Sequence, residues 1–165
     1  MYKARLEDGR IAAIKWAKNY EIDKEWEILK YLDGFIAPKP IERGRRYFIM
    51  EYIEGKPLKE FLGSEKYYEV LKKSLISAYE LDKKGVFHSQ LGRYYHIFYS
   101  DNEVRFIDFE RAVFSENPRN FMQIVGYYLF RDENFDKNGL NRAIELYKFS
   151  KEEGLKFLLK VMDES

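Results

Sequence analysis

Residues 85–112 read GVFHSQLGRYYHIFYSDNEVRFIDFERA, and the fold turns on them. A short His88-Ser89-Gln90-Leu91 segment leads into two apolar runs, 97–100 and 104–107, that flank Asp101-Asn102-Glu103. Apolar runs bounded by Asp and Asn predict a hairpin, because those residues tolerate the backbone of a tight turn. The returning strand ends on Ile107-Asp108-Phe109-Glu110, which leaves a carboxylate at the strand's far edge. Asp108 follows Gln90 by eighteen residues.

Working outward, Tyr68, Leu71, Leu75, Ala78, Tyr79 and Leu81 recur at helical spacing and predict one long helix. Gly85 closes it, with Lys83 and Lys84 at the negative end of its dipole. Gly55-Lys56-Pro57 marks a linker, and short strands precede it. Residues 2–6 and 10–16 flank Glu7-Asp8-Gly9, where Asp-Gly supplies the positive φ of a hairpin turn. Ile22, Trp26, Leu29 and Leu32 form a helical stripe that Gly34 ends. Residues 37–41 and 47–52 read as two more strands around Gly44. Downstream, 121–130, 140–149 and 151–162 read as helices. Ser150-Lys151-Glu152-Glu153 opens the last as a capping box, with serine and glutamate satisfying exposed amides reciprocally. The expectation is an α+β chain forming one domain over residues 1–165. A small antiparallel-sheet lobe with one helix spans 1–53, and a compact helical lobe spans 54–165.

With 45% apolar and 18% aromatic residues, the chain can bury a core and is not disordered. Lys and Arg number 29 against 28 Asp and Glu, a net charge of +1 that excludes a strongly basic coat for nucleic acid. The absence of cysteine excludes disulfides, thiolate metal sites and thiol nucleophiles. No signal-like segment opens the sequence, and no apolar run approaches the ~18 residues of a membrane helix. A cytoplasmic location without membrane partners is expected.

Ala13-Ile14-Lys15 lies on the second strand, and Glu25 follows ten residues later on the first helix. Trp26 and Leu29 set the buried face beside Glu25 and favour it as the partner; Glu21, one turn earlier, is the alternative. An ordinary exposed charge face would produce the same pattern. Residues 48–55, FIMEYIEG, run from strand into linker, where extended backbone can offer amide and carbonyl groups to a heteroaromatic edge. Asp108 is a hard oxygen donor suited to Mg²⁺, whereas His96 favours softer metals. His88 reads as structural. Arg93, Arg105, Arg111 and Arg119 follow in close order and can bind phosphate, a phosphorylated partner or RNA backbone, although each alone reads as a surface arginine.

In this order, these motifs resemble the protein kinase-like superfamily, above all small atypical members such as RIO-type kinases and archaeal predicted Ser/Thr kinases. The resemblance covers residues 1–112. His88-x-x-Leu91 and Ile107-Asp108-Phe109 match its catalytic loop and metal-binding turn, and the eighteen-residue step matches the distance between its two aspartates. The resemblance implies a bilobal fold with ATP in the cleft. It places Lys15 on phosphates, Glu25 on Lys15, and Met50 at the gatekeeper position. Glu51 and Ile53 would present backbone to adenine, Ala13 would lie against the ring with Ile97 and Phe98 on the strand under it, and Asp108 would bind Mg²⁺.

The departures concern the reaction. Gln90 stands where the family has its catalytic aspartate. Ungapped alignment puts Tyr95 at the second-metal asparagine, with His96 one residue on, and Glu110 replaces a glycine. Tyr2-Lys3-Ala4 resembles the end of the strand after a glycine-rich loop, which would then precede Met1; the sequence contains no such loop. Three functions remain: a nominal Ser/Thr protein kinase, a pseudokinase module docking a protein or RNA, and a small-molecule phosphotransferase.

Overall fold

A computed structural model describes residues 1–17 and 22–164; the Glu21 alternative lies outside them. β1 (Tyr2–Arg5) and β2 (Ile11–Trp16) pair antiparallel. In the loop between them only Gly9 has a positive φ, 88°, while Leu6 N–H donates to Arg10 O. This is a three-residue loop closed by left-handed glycine. α1 (Asp23–Leu32) buries Glu25, Ile28, Leu29 and Leu32. β3 (Pro40–Arg43) and β4 (Tyr47–Glu51) complete a sheet ordered β1-β2-β4-β3. β3 starts at Pro40 rather than residue 37, because the Ala37 carbonyl is engaged by Arg105.

After β5 (Lys56–Pro57) and a 3-10 turn at Leu58–Phe61 comes α2 (Tyr67–Lys83), the expected long helix. β6 (Val86–Phe87), β7 (Ile97–Ser100), β8 (Glu103–Phe106) and β9 (Val113–Phe114) follow. They add two small sheets, β5-β7-β8 and β6-β9, to the helical lobe. Asp101 and Asn102, at φ 50° and 66°, make the two-residue turn of the β7–β8 hairpin. α3 (Asn120–Ile124) continues as π-helix over Val125–Leu129, where the expected α-helix widens and Phe130 N–H donates to Val125 O. α4 (Lys137–Phe149) and α5 (Lys151–Asp163) finish the lobe.

Only half of the expected capping box forms. Ser150 Oγ accepts from Glu153 N–H at 3.3 Å, but the Ser150 N–H is used by Leu146 O to close α4. Two helices abutting at one residue leave no amide for Glu153 to cap. The helices also pack tightly: a Cβ on Gly154 would fall 2.5 Å from the Tyr147 backbone.

One apolar core runs through both lobes, from Ala13, Ile28 and Met50 through Leu75 and Phe106 to Leu158. Among the described residues no helix is long and apolar enough to cross a membrane.

Arg105 clasps the lobes. From β8 it donates to both oxygens of Glu51, at 2.8 and 2.5 Å, and to the carbonyls of Gly34 (3.2 Å) and Ala37 (2.7 Å). Arg105→Ala should lower unfolding free energy by about 2–3 kcal/mol, read by urea denaturation. A loss under roughly 0.5 kcal/mol would show that the clasp contributes little. The Arg105 bond holds Glu51 below its usual pKa. A depressed carboxyl pKa stabilises the fold above the unfolded value, near 4.3, and that contribution is lost as pH falls below it through the lowered folded value. The variant should therefore lose less stability than the native chain on acidification through that range.

Candidate functional site

Charge converges between the lobes because three elements end there: β2 brings Lys15, α1 brings Glu25, and the turn after β8 brings Asp108. Lys15 Nζ donates to Glu25 Oε2 at 3.0 Å and to Asp108 Oδ1 at 3.1 Å, with Glu110 Oε2 3.7 Å away. Lys15 is 7% exposed and Glu25 2%. The α1 stripe places Glu25: Ile28 and Leu29 bury the same face, and Trp26 packs on Phe48 with ring centroids 5.7 Å apart. Burial pushes the Glu25 carboxyl pKa up, and the Lys15 charge opposes the shift. Among the described residues Glu25 Oε1 has no hydrogen-bond partner.

Asp108 adopts φ 62°, a left-handed backbone that short polar residues tolerate, and accepts from Glu110 N–H at 3.3 Å. His96 Nε2 lies 3.4 Å from its Oδ2. The His96 contact and then the Lys15 charge hold the Asp108 carboxyl well below the usual range. His96, and not Tyr95, is the residue that faces Asp108. Tyr95 is half exposed, and its hydroxyl accepts from Arg93 at 2.9 Å. Ile107 N–H donates to His96 O, which sets His96 level with the end of the returning strand. Its Nδ1 lies 3.1 Å from Gln90 O, while Nε2 faces Asp108.

Gln90 sits between two histidines. Its N–H donates to His88 Nδ1 at 3.1 Å, so the His88 proton resides on Nε2, which donates to Ile107 O at 2.8 Å. Burial pulls the His88 pKa down to about 4 and keeps it neutral, a structural residue as expected. Behind the loop stands a support that the sequence reading missed. Asn120 Oδ1 accepts from His88 N–H at 2.9 Å, and buried Asp82 accepts from Asn120 Nδ2 at 2.9 Å. Gln123 bonds both Leu91 N–H and Ser89 O, and Tyr128 donates to Leu91 O. One signal was available: Asp82 continues the Leu75, Ala78 stripe of α2, where a carboxylate would not sit without buried donors.

The expected ring-binding residues are split by strand alternation. Ala13, Met50, Glu51 and Ile53 line a slot with Phe98 and Ile107. Ile97 does not; it is fully buried against the core, and of the two residues expected on that strand only Phe98 lines the slot. The slot holds about 70 Å³ and adjoins a 340 Å³ polar pocket that shares Glu51, Tyr52, Ile53 and Phe98. Met1 also lines the slot. The Glu51 side chain belongs to the Arg105 clasp and its N–H donates to Lys39 O at 2.8 Å, so neither remains for a ligand. Arg105 is thereby removed from the group of arginines expected near the site.

Three carboxylates face one lysine here, an excess of negative charge that favours a divalent cation. Among the described residues no three His, Asp or Glu side chains converge on a common metal position. One or two carboxylates completed by ligand oxygens and water is how proteins hold Mg²⁺, so the donor set fits that ion with a phosphate ligand.

The family model for the RIO domain matches residues 1–132, the sheet lobe and the helical lobe through the π-helical turn. No curated protein matches the chain.

Proposed function

This chain belongs to the RIO-like atypical protein kinase family, and on that premise we propose that its cleft binds ATP with Mg²⁺ as a nominal Ser/Thr protein kinase lacking an acidic base. The observation that carries this reading is Lys15, held between Glu25 and Asp108 at 3.0 and 3.1 Å. Lys15 exchanges Asp108 for phosphate oxygens while Glu25 keeps it in place. Asp108, with Glu110 beside it, then holds the cation. Ala13, Ile53 and Phe98 enclose the base, and the Glu51 and Ile53 backbone meets its edge. Bound ATP-Mg²⁺ supplies the phosphoryl group for transfer. Gln90 can orient an acceptor hydroxyl, but an amide does not take its proton at neutral pH. Alignment and charge neutralisation therefore carry the reaction.

The same Gln90 favours a second reading, a pseudokinase that binds nucleotide without transferring phosphate. Incubation with radiolabelled ATP and a generic protein acceptor separates the two. Gln90→Asp should raise transfer by on the order of 10²-fold over the native chain. Transfer in the variant alone assigns the native protein to the pseudokinases. If neither transfers and ATP-Mg²⁺ still raises the melting temperature, the cleft is a nucleotide sensor. No melting shift in either protein would overturn both readings.

A further inference from the structure

Arg119, one of the arginines expected near the cleft, lies elsewhere. With Lys148 and Lys151 it surrounds a cavity of about 330 Å³ between the start of α3 and the α4–α5 junction. Pro118, Met122 and Tyr147 supply apolar wall, and no Asp or Glu lines the cavity. Some surface cations are matched, Arg43 with Asp23, Lys83 with Glu80 and Lys156 with Glu152, whereas here three gather around one concavity with no carboxylate on its wall. Among the described residues Arg119, Lys148 and Lys151 form no ion pair.

Helix electrostatics account for only part of this. Lys148 lies in the last turn of α4, where the dipole favours a cation. Lys151 opens α5, where the dipole is positive and disfavours one. Three cations around one concavity repel each other, and a compact oxyanion relieves the repulsion while accepting from all three. A net charge of +1 argues against a polynucleotide partner, and three cations on a wall without carboxylates suit a compact dianion. We propose that this pocket binds a phosphomonoester dianion, presented by a phosphoserine side chain or a small phosphorylated compound. The site stands apart from the cleft and does not depend on the nucleotide reading.

Two of the four methionines make the test local: Met122 lines this pocket, and Met50 lines the slot. The chain, isotope-labelled at methionine methyl groups, is titrated by NMR with a phosphoserine peptide, its unphosphorylated form and inorganic phosphate. Met122 should shift saturably with the phosphopeptide and not with the unphosphorylated peptide, while Met50 stays in place. The double variant Lys148→Glu/Lys151→Glu, which leaves the Asp82 network untouched, should weaken binding at least about tenfold. A phosphopeptide binding at least about tenfold tighter than phosphate points to a phosphoprotein; equal affinities point to a small phosphorylated compound. The proposal is overturned if Met122 is unmoved up to roughly 10 mM ligand, if the unphosphorylated peptide acts equally, or if the double variant binds like the native chain.

Discussion

Asp108→Asn is expected to abolish Mg²⁺-dependent nucleotide binding while leaving the fold in place. Asn keeps the shape of Asp and loses the charge that a hard divalent cation needs. Loss of a metal-ligating carboxylate should weaken ATP-Mg²⁺ by at least about 100-fold, more than an outer-shell change costs. The fold should survive because Lys15 retains Glu25 at 3.0 Å and Asp108 is itself partly exposed. Calorimetric titration with ATP, with and without Mg²⁺, reads the effect, and the nucleotide-free melting temperature checks the fold. Binding that stays Mg²⁺-dependent and equally tight in Asp108→Asn would refute the metal role. Lys15→Met is a poorer probe. It strands Glu25 as an unpaired buried carboxylate, a loss of about 3–5 kcal/mol that confounds binding with stability.

The largest stability effect belongs to Asp82, which is 3% exposed. Its carboxylate accepts from Asn120 N–H at 2.8 Å, Asn120 Nδ2 at 2.9 Å, Phe121 N–H at 3.2 Å and the Tyr147 hydroxyl. Burial raises its pKa, and the Tyr147 bond followed by the Asn120 and Phe121 donors opposes the rise. Asp82→Ala leaves these donors buried without an acceptor, so the expected loss is about 4 kcal/mol, a large share of the ~5–15 kcal/mol that holds a domain together. Tyr147→Phe removes one donor only and should cost about 1 kcal/mol. Urea denaturation of both variants checks the order, and an Asp82→Ala loss below roughly 1 kcal/mol would contradict the network. Because Asn120 also holds the His88 backbone, the loop carrying Gln90 should loosen in the same variant.

Much of the architecture was legible in the chain. The α1 and α2 stripes, the Asp101-Asn102 turn, and the choice of Glu25 beside Trp26 and Leu29 all rest on neighbours within a turn or two. Periodicity expresses such relations directly. The capping box at Ser150 was half legible, because its second bond depended on where the preceding helix stopped. Ile97 and Phe98 illustrate a finer limit: both lie on the predicted strand, but which one faces the slot depends on register against β8.

The sequence by itself determined the order of elements, the α+β class and the eighteen-residue step from Gln90 to Asp108. Those properties follow from spacing along one chain. Tertiary structure alone decided that His96 rather than Tyr95 faces Asp108, and that Arg105 closes the lobes rather than serving the cleft. It also decided that Asp82 supports the loop through Asn120, and that Arg119, Lys148 and Lys151 share a cavity. Each of these depends on the direction in which a side chain leaves its backbone and on partners many residues away. Composition and spacing leave that direction free until the elements are packed.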